Sequence, residues 1–325
     1  LDIDAVVAWV DGDDPAHRAR RAPYIKADST SLPEATSPTR FVGSNEIIYC
    51  LRSILNHAPW IRRVWVITDN QRLPVMQSLA RLCRVHVVDH TSIFRGFEHL
   101  LPTFNSLSIE TMMWRIPGLA EHFIYFNDDM GICSRVQPVD FFRNGKSMAR
   151  GRWGSYSREQ RGTWESNQQV AAEMMGYCRE NMFIDAHVPK ALSRSLFQHL
   201  FDRDPDAFIK NASYRFRNPE QFLPVGLHEH AALADGLAEL WGTRDWLHFS
   251  IKNCRKDPFP RVGVKMNDLI SASKKLYCIN DYKSLKKRFP IIEICLEHAT
   301  GPAQPYERQA TIKQRLRLVG NLVPS

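Results

Sequence analysis

The chain is 325 residues long and carries 43 Lys and Arg against 35 Asp and Glu, a formal charge of +8 at pH 7. An apolar fraction of 44% beside 24% charged residues is ordinary for a globular chain and excludes a disordered or collagen-like one. No apolar run approaches the roughly 18–20 residues that span a bilayer, while the positive balance leaves nucleic acid, an acidic membrane surface and phosphorylated substrates open as partners.

The sequence opens directly into an apolar run, residues 3–10, with no basic n-region or cleavage site ahead of it. Three further runs, at 64–68, 85–88 and 123–126, are equally rich in β-branched and aromatic residues and read as buried strands. Between the first two, Ile47, Cys50, Leu51 and Ile54 recur at helical spacing over 46–57. Val75, Leu79 and Leu82 do the same before the third run, and 107–119 reads as a helix before the fourth. Strands alternating with helices predict an α/β fold with a Rossmann-like, mainly parallel sheet.

The polar residues behind these runs are more informative than the runs. They are Asp11-Gly12-Asp13-Asp14-Pro15, Thr68-Asp69-Asn70, Asp89-His90 and Asn127-Asp128-Asp129. Each alone is ordinary turn chemistry. Four together point to one site, because ligands of open parallel sheets bind beyond the carboxyl ends of the strands. Neither a Gly-x-Gly-x-x-Gly nor a Walker loop follows the first strand. Asp128 and Asp129 instead offer the hard oxygen ligands that hold Mg²⁺ or Mn²⁺ beside a diphosphate.

The second half reads differently. Residues 151–162 are rich in Gly, Ser and Arg and predict a surface loop, followed by helical periodicity at 168–178 and 191–201. The chain divides on this reading into an α/β nucleotide-sugar-binding core (1–150), a mostly helical part that completes the site (151–298) and a basic tail (299–325) containing Arg308, Lys313, Arg315 and Arg317. His228-Glu229-His230 resembles a metal motif, but positions two apart do not share a helix face. Lys283, Lys286, Lys287 and Arg288 read as a solvated helical face. Seven cysteines without a CxxC pair argue against a zinc site, and the odd count against a full disulfide framework, so a reducing compartment is the simplest setting.

The motifs are similar to those of the Stealth family of hexose-1-phosphate transferases, which includes bacterial capsular-polysaccharide phosphotransferases. Its first conserved region resembles Ile3-Asp4-Ala5-Val6-Val7-Ala8-Trp9-Val10-Asp11-Gly12-Asp13-Asp14-Pro15. Its second resembles 40–142, with Leu51-Arg52-Ser53, Leu101-Pro102-Thr103-Phe104-Asn105-Ser106 and Tyr125-Phe126-Asn127-Asp128-Asp129. The third resembles His187-Val188-Pro189 through Phe216-Arg217, and the fourth Cys278-Ile279-Asn280-Asp281. The regions occur in family order along most of the chain.

The resemblance implies transfer of a sugar-1-phosphate, N-acetylhexosamine-1-phosphate in the first instance, from a UDP-sugar donor to a hydroxyl of a polysaccharide acceptor, with release of UMP. His187 matches the family's catalytic histidine, and imidazole accepts a proton near neutral pH. Arg217 matches its downstream arginine, whose donor fork suits phosphate oxygens. Asp128 and Asp129 would bind the divalent cation beside Asn127. Asp4, Trp9, Asp11 and Gly12 would wall the nucleotide, although Trp9 fits core packing nearly as well. Arg52 would pair with diphosphate or make a structural ion pair, and Asn105 and Ser106 would offer donors to sugar or phosphate. Asn280 and Asp281 would complete the site or cap a helix. The implied setting is cytoplasmic, with the inner face of the membrane as a peripheral docking place. Two other readings use the same residues: a metal-dependent glycosyltransferase releasing UDP, and a binding module for anionic glycans without catalysis. No recognised nucleic-acid motif accompanies the dispersed basic residues, so nucleic acid is not an expected partner.

Overall fold

A computed structural model describes residues 1–27, 46–73, 84–156, 162–250, 254, 259–304 and 307. Its strands are, in chain order, β1 (Ile3–Ala8), β2 (Val64–Thr68), β3 (Val85–Asp89), β4 (His122–Asn127), β5 (Met130–Ile132), β6 (Phe142–Arg143) and β7 (Lys146–Ala149). They continue as β8 (Gly151–Gly154), β9 (Met182–Asp185), β10 (Lys190–Ser193), β11 (Ala238–Leu240), β12 (Trp246–Ser250) and β13 (Leu276–Asn280).

The main sheet has the order β10-β4-β1-β2-β3, with β1 to β4 parallel and β10 antiparallel on the edge. The apolar runs of β1, β2 and β4 are nearly continuous because both faces of the sheet are covered there, whereas edge strand β3 is only half-buried. Ile3, Ala5 and Val7 of β1 pack with Ile47, Leu51 and Ile54 of the Glu46–His57 helix on one face. Val6 joins Trp65, Leu107, Phe123 and Tyr125 on the other. The α/β, mainly parallel architecture expected from the sequence is therefore the one observed.

Helices occupy about half of the described residues after 150, a part that also supplies strands to every sheet. β10 flanks β4, β11 pairs with β7, and β12 runs parallel to β13, which pairs antiparallel with β5. A division at residue 150 thus cuts through shared sheets. Buried Arg150 reinforces the junction, its Nε and a terminal nitrogen each donating to Asp245 at 2.9 Å.

Several local expectations change. Residues 151–154 form β8 against β9 instead of a loop. Gly151 sits where a Cβ would lie 2.4 Å from the Ile184 carbonyl, so the glycine allows a close backbone approach rather than a turn. The helix expected at 107–119 ends at Met112, continues as a 3-10 turn over Met113–Arg115 and stops before Pro117. The 191–201 pattern divides into β10 and an Arg194–Arg203 helix, and 168–178 becomes a Thr163–Met174 helix. The expected helix carrying Val75, Leu79 and Leu82 and the basic tail lie outside the described residues. No helix among the described residues is long and apolar enough to cross a membrane.

Candidate active site

β4 passes through Asp128 and Asp129 directly into β5, so this acidic pair is the joint between the main sheet and the β12-β13-β5 sheet. The second sheet seats the joint. Ile279 N–H donates to the Asp129 carbonyl (2.8 Å), and Asn280 Nδ2 donates to Asp129 Oδ2 (2.5 Å). Asn280 Oδ1 in turn meets His248 Nε2 at 2.5 Å. β5 approaches β13 so closely at Gly131 that a Cβ there would lie 2.4 Å from the Tyr277 hydroxyl.

The joint is electrostatically loaded. Burial and then Asp129 push Asp128 up to about 7; burial pushes Asp129 up to about 6, against the bond donated by Asn280. Glu46, first in its helix, rises to about 9 through burial and then Asp128 and Asp129, while the Tyr282 backbone N–H donates to it. Concentrated, partly desolvated negative charge of this kind favours protonation or a bound cation. Asp129 Oδ1 is buried without a hydrogen-bond partner, and one donor atom each from Asp129, His187 and Cys278 lies within 4.8 Å of the others. The residues present therefore fit a metal ion. Cys278 remains a thiol that donates to Asp129, since burial and that carboxylate raise its pKa well above the usual value.

His187 leaves the turn between β9 and β10. Its ring packs edge-on to Trp164 (4.8 Å) and His248 (5.8 Å between centroids). Burial, then His248, Lys190 and Arg217, hold its pKa well below 6.5, leaving the imidazole neutral at pH 7. Lys190, 3% exposed, fastens the turn by pairing with Asp185 (2.7 Å) and donating to the Ala186 carbonyl. Arg217 donates to Ser106 Oγ at 2.7 Å. Buried Glu110 is pushed up to about 7 by burial, against the pull of Arg217 and nearby Tyr125, whose hydroxyl donates to Asn127 Oδ1 at 2.7 Å. The fold thus gathers Asn127, Asp128, Asp129, His187, Arg217, Ser106 and Asn280 into one neighbourhood. Asp281 caps the Tyr282–Arg288 helix, and its charge also reaches Glu46.

Other expected site residues have different roles. Asp4 is fully buried at the amino end of β1, taking bonds from Arg62 (2.9 and 2.8 Å), Trp65 Nε1 (2.8 Å) and Ala120 N–H (2.9 Å). It lies at the wrong end of the strand for a nucleotide wall. Trp9, 6% exposed, belongs to the core. Arg52 is buried in ion pairs with Glu297 and Glu307, so the structural alternative replaces diphosphate binding. Asn105 caps the Ser106–Met112 helix through Leu107 N–H and spends its Nδ2 on Tyr214 and Gln221. Asp11 and Gly12 do follow β1 at its carboxyl end, where Gln71 clasps the Asp11 backbone. The strand ends of β2 and β3 hold one another through Asn70 N–H and Asp89 (2.6 Å).

Glu46, Glu110 and His248 are neighbours of this cluster that the strand-end reading missed. Glu46 does carry a signal, an acid opening the helix that leads into a parallel strand. His228 and His230 accept backbone N–H bonds from Ser193 and Phe183, as structural histidines.

Family models for Stealth protein conserved region 1 and conserved region 2 match residues 1–29 and 40–150. An exopolysaccharide phosphotransferase of Streptomyces coelicolor is 32% identical over 289 residues; the match covers 86% of this chain, which spans about half of that relative's length (47%). A capsular polysaccharide phosphotransferase of Streptococcus pneumoniae is 27% identical over 323 residues, covering 90% of this chain and 94% of the relative. Mouse xyloside xylosyltransferase 1 superposes with a TM-score of 0.42 at 13% identity, over 86% of this chain and 98% of the other. With polysaccharide phosphotransferases among its relatives, the chain carries, in order, the first two conserved regions of Stealth proteins.

Proposed function

We propose that this protein moves a sugar-1-phosphate from a UDP-sugar to a hydroxyl of a cell-surface polysaccharide, releasing UMP and leaving a phosphodiester. N-acetylhexosamine-1-phosphate is the expected group, and the cytoplasmic face of the membrane the expected place of work. The observation that most supports this reading is the meeting of a neutral His187 with the Asp129 carboxylate within 4.8 Å, in the field of Arg217.

In the step proposed, the acceptor hydroxyl attacks the sugar-side phosphorus. The new O–P bond forms as the P–O bond to UMP breaks, and the hydroxyl proton passes to a ring nitrogen of His187. Arg217, oriented by Ser106, directs its fork at the phosphate oxygens. Asp128 and Asp129, with Glu46 beside them, would hold Mg²⁺ or Mn²⁺; carboxylate oxygens suit these hard ions better than the protonated Cys278 does. Such an ion, when bound, supplies positive charge to neutralise diphosphate oxygens. Asn280 orients Asp129 so that Oδ1 is left for that duty.

The test is to incubate the protein with UDP-sugars and hydroxyl acceptors and identify the nucleotide released. UMP with a glycosidase-resistant phosphodiester product is expected. Stoichiometric UDP release would establish glycosyl transfer instead, and salt-sensitive glycan binding without nucleotide turnover would make the protein a binding module.

A further inference from the structure

We propose that a cavity at the amino ends of the parallel strands is a second glycan site, which holds an anionic sugar residue of the acceptor polysaccharide while another part of that polymer lies at the acid cluster. The proposal rests on the phosphotransfer reading, because a polymer joined by phosphodiesters carries one negative charge per linkage.

The cavity has a volume of about 330 Å³, at the small end of the range for ligand sites. Phe97, Trp114 and Phe201 form an aromatic wall: Phe201 meets Phe97 edge-on at 6.2 Å and Trp114 at 5.7 Å, the two phenylalanines partly buried and Trp114 buried behind them. Two guanidinium groups stand beside them. Arg115 lies 4.9 Å over the Phe97 ring and donates to the Ile93 and Arg95 carbonyls, both at 2.7 Å. It has no ion pair among the described residues. Glu98, whose charge reaches Arg115, instead accepts the Gly96 N–H at 2.9 Å. Exposed Arg194 opens the Arg194–Arg203 helix, and its side chain has neither an ion pair nor a hydrogen bond among the described residues.

Flat aromatic faces offer apolar contact to the C–H side of a sugar ring, while guanidinium forks accept carboxylate or phosphate. Two arginines with no ion pair among the described residues favour an anionic occupant over a neutral one. The position identifies a polymer rather than a single sugar. Gly118 precedes β4 and Arg194 follows β10, both at the end of the sheet marked by Arg62 and Asp4. The six residues of β4 put about 20 Å between that end and Asp128. Only a glycan of several residues reaches both, and two linked contacts strengthen binding by raising the effective concentration of the second.

The probes are synthetic N-acetylglucosamine-1-phosphate oligomers of two and eight repeats and a neutral N-acetylglucosamine octamer, titrated calorimetrically without donor. The charged octamer should bind more tightly than either of the others. Arg194→Glu should weaken octamer binding about 10–100-fold and leave the dimer unchanged, as expected for loss of a charge-assisted contact. Arg194 occupies a first-turn position where the helix dipole favours a carboxylate, so this variant should fold, and circular dichroism checks it. Phe97→Ala should weaken octamer binding as well. Unchanged octamer affinity in both variants, or equal binding of the neutral octamer, would overturn the proposal. UMP release with the dimer as acceptor is measured in parallel on wild type and Arg194→Glu. Its absence from both would refute phosphotransfer, whereas the calorimetry judges the second site by itself.

Discussion

Replacing Asp4 by Ala should cost the protein stability and spare its binding of UDP-sugar. Burial pushes the Asp4 carboxyl up, but the bonds donated by Arg62, Trp65 and Ala120 prevail and hold it below the ordinary 3.8. Truncation leaves the Trp65 indole N–H and the Ala120 N–H without their acceptor, at about 1–3 kcal/mol each for buried donors. Arg62 has a side chain 32% exposed and turns to water, so its share is discounted. The expected loss is about 3–4 kcal/mol, which lowers the melting temperature by roughly 6–12 °C in a chain of this size. Because the folded pKa is depressed, this contribution is present in full above the ordinary carboxyl pKa. It is lost as pH falls through about 4 toward the folded value, so the gap between wild type and Asp4→Asn should narrow there. Thermal melts from pH 7 to pH 3, with donor calorimetry at pH 7, measure both quantities. An Asp4→Ala protein that melts like wild type yet fails to bind donor would refute the structural assignment.

His187→Ala should cut acceptor-dependent UMP release by about 10²–10⁴-fold with donor affinity nearly intact, since a base acts mainly in the transition state; unchanged turnover would remove it from that role. Mn²⁺ should raise the melting temperature of the wild type and not that of Asp129→Ala, by mass action on the folded state; an equal rise in both would place the ion elsewhere. Gly131→Ala drives a Cβ into the Tyr277 ring and should cost about 1–3 kcal/mol in denaturant melts. Adding Tyr277→Leu should recover part of that loss, and an unaffected single variant would disprove the close packing.

The main sheet was legible because β1, β2 and β4 are buried on both faces and spell themselves as nearly continuous apolar runs, with half-buried β3 at the edge still rich in valine. The Asp128-Asp129 doublet was legible for a related reason, as part of the three-residue polar break Asn127-Asp128-Asp129 between Phe126 and the apolar residues of β5. Partners drawn from remote elements were not. Nothing local to Asp4 says that Arg62 and Trp65 will saturate it, and nothing local to Arg52 announces Glu297 and Glu307, more than 240 residues away. Asn105 read as a sugar ligand because a helix-capping asparagine has the same composition around it. In 191–201, Ala191 and Leu192 fit a strand as well as a helix, and only pairing with β4 decides between them. His248 went unread because β12 is short and its importance comes from Asn280, on a different strand.

The joint at Asp128 and Asp129 also has a consequence for the order in which the molecule forms. All four parallel strands of the main sheet are complete by residue 127, whereas the Asn280 amide that engages Asp129 arrives 151 residues later. At about 5–20 residues per second, translation leaves the two acids without that partner for roughly 8–30 s. During this interval their repulsion is relieved by water and solution cations, and the nascent sheet has no edge cover from β10 until Ser193 has emerged. On the proposed mechanism the acid site is among the last features the chain completes, and truncation before β13 should abolish turnover while leaving the residues of the parallel sheet intact.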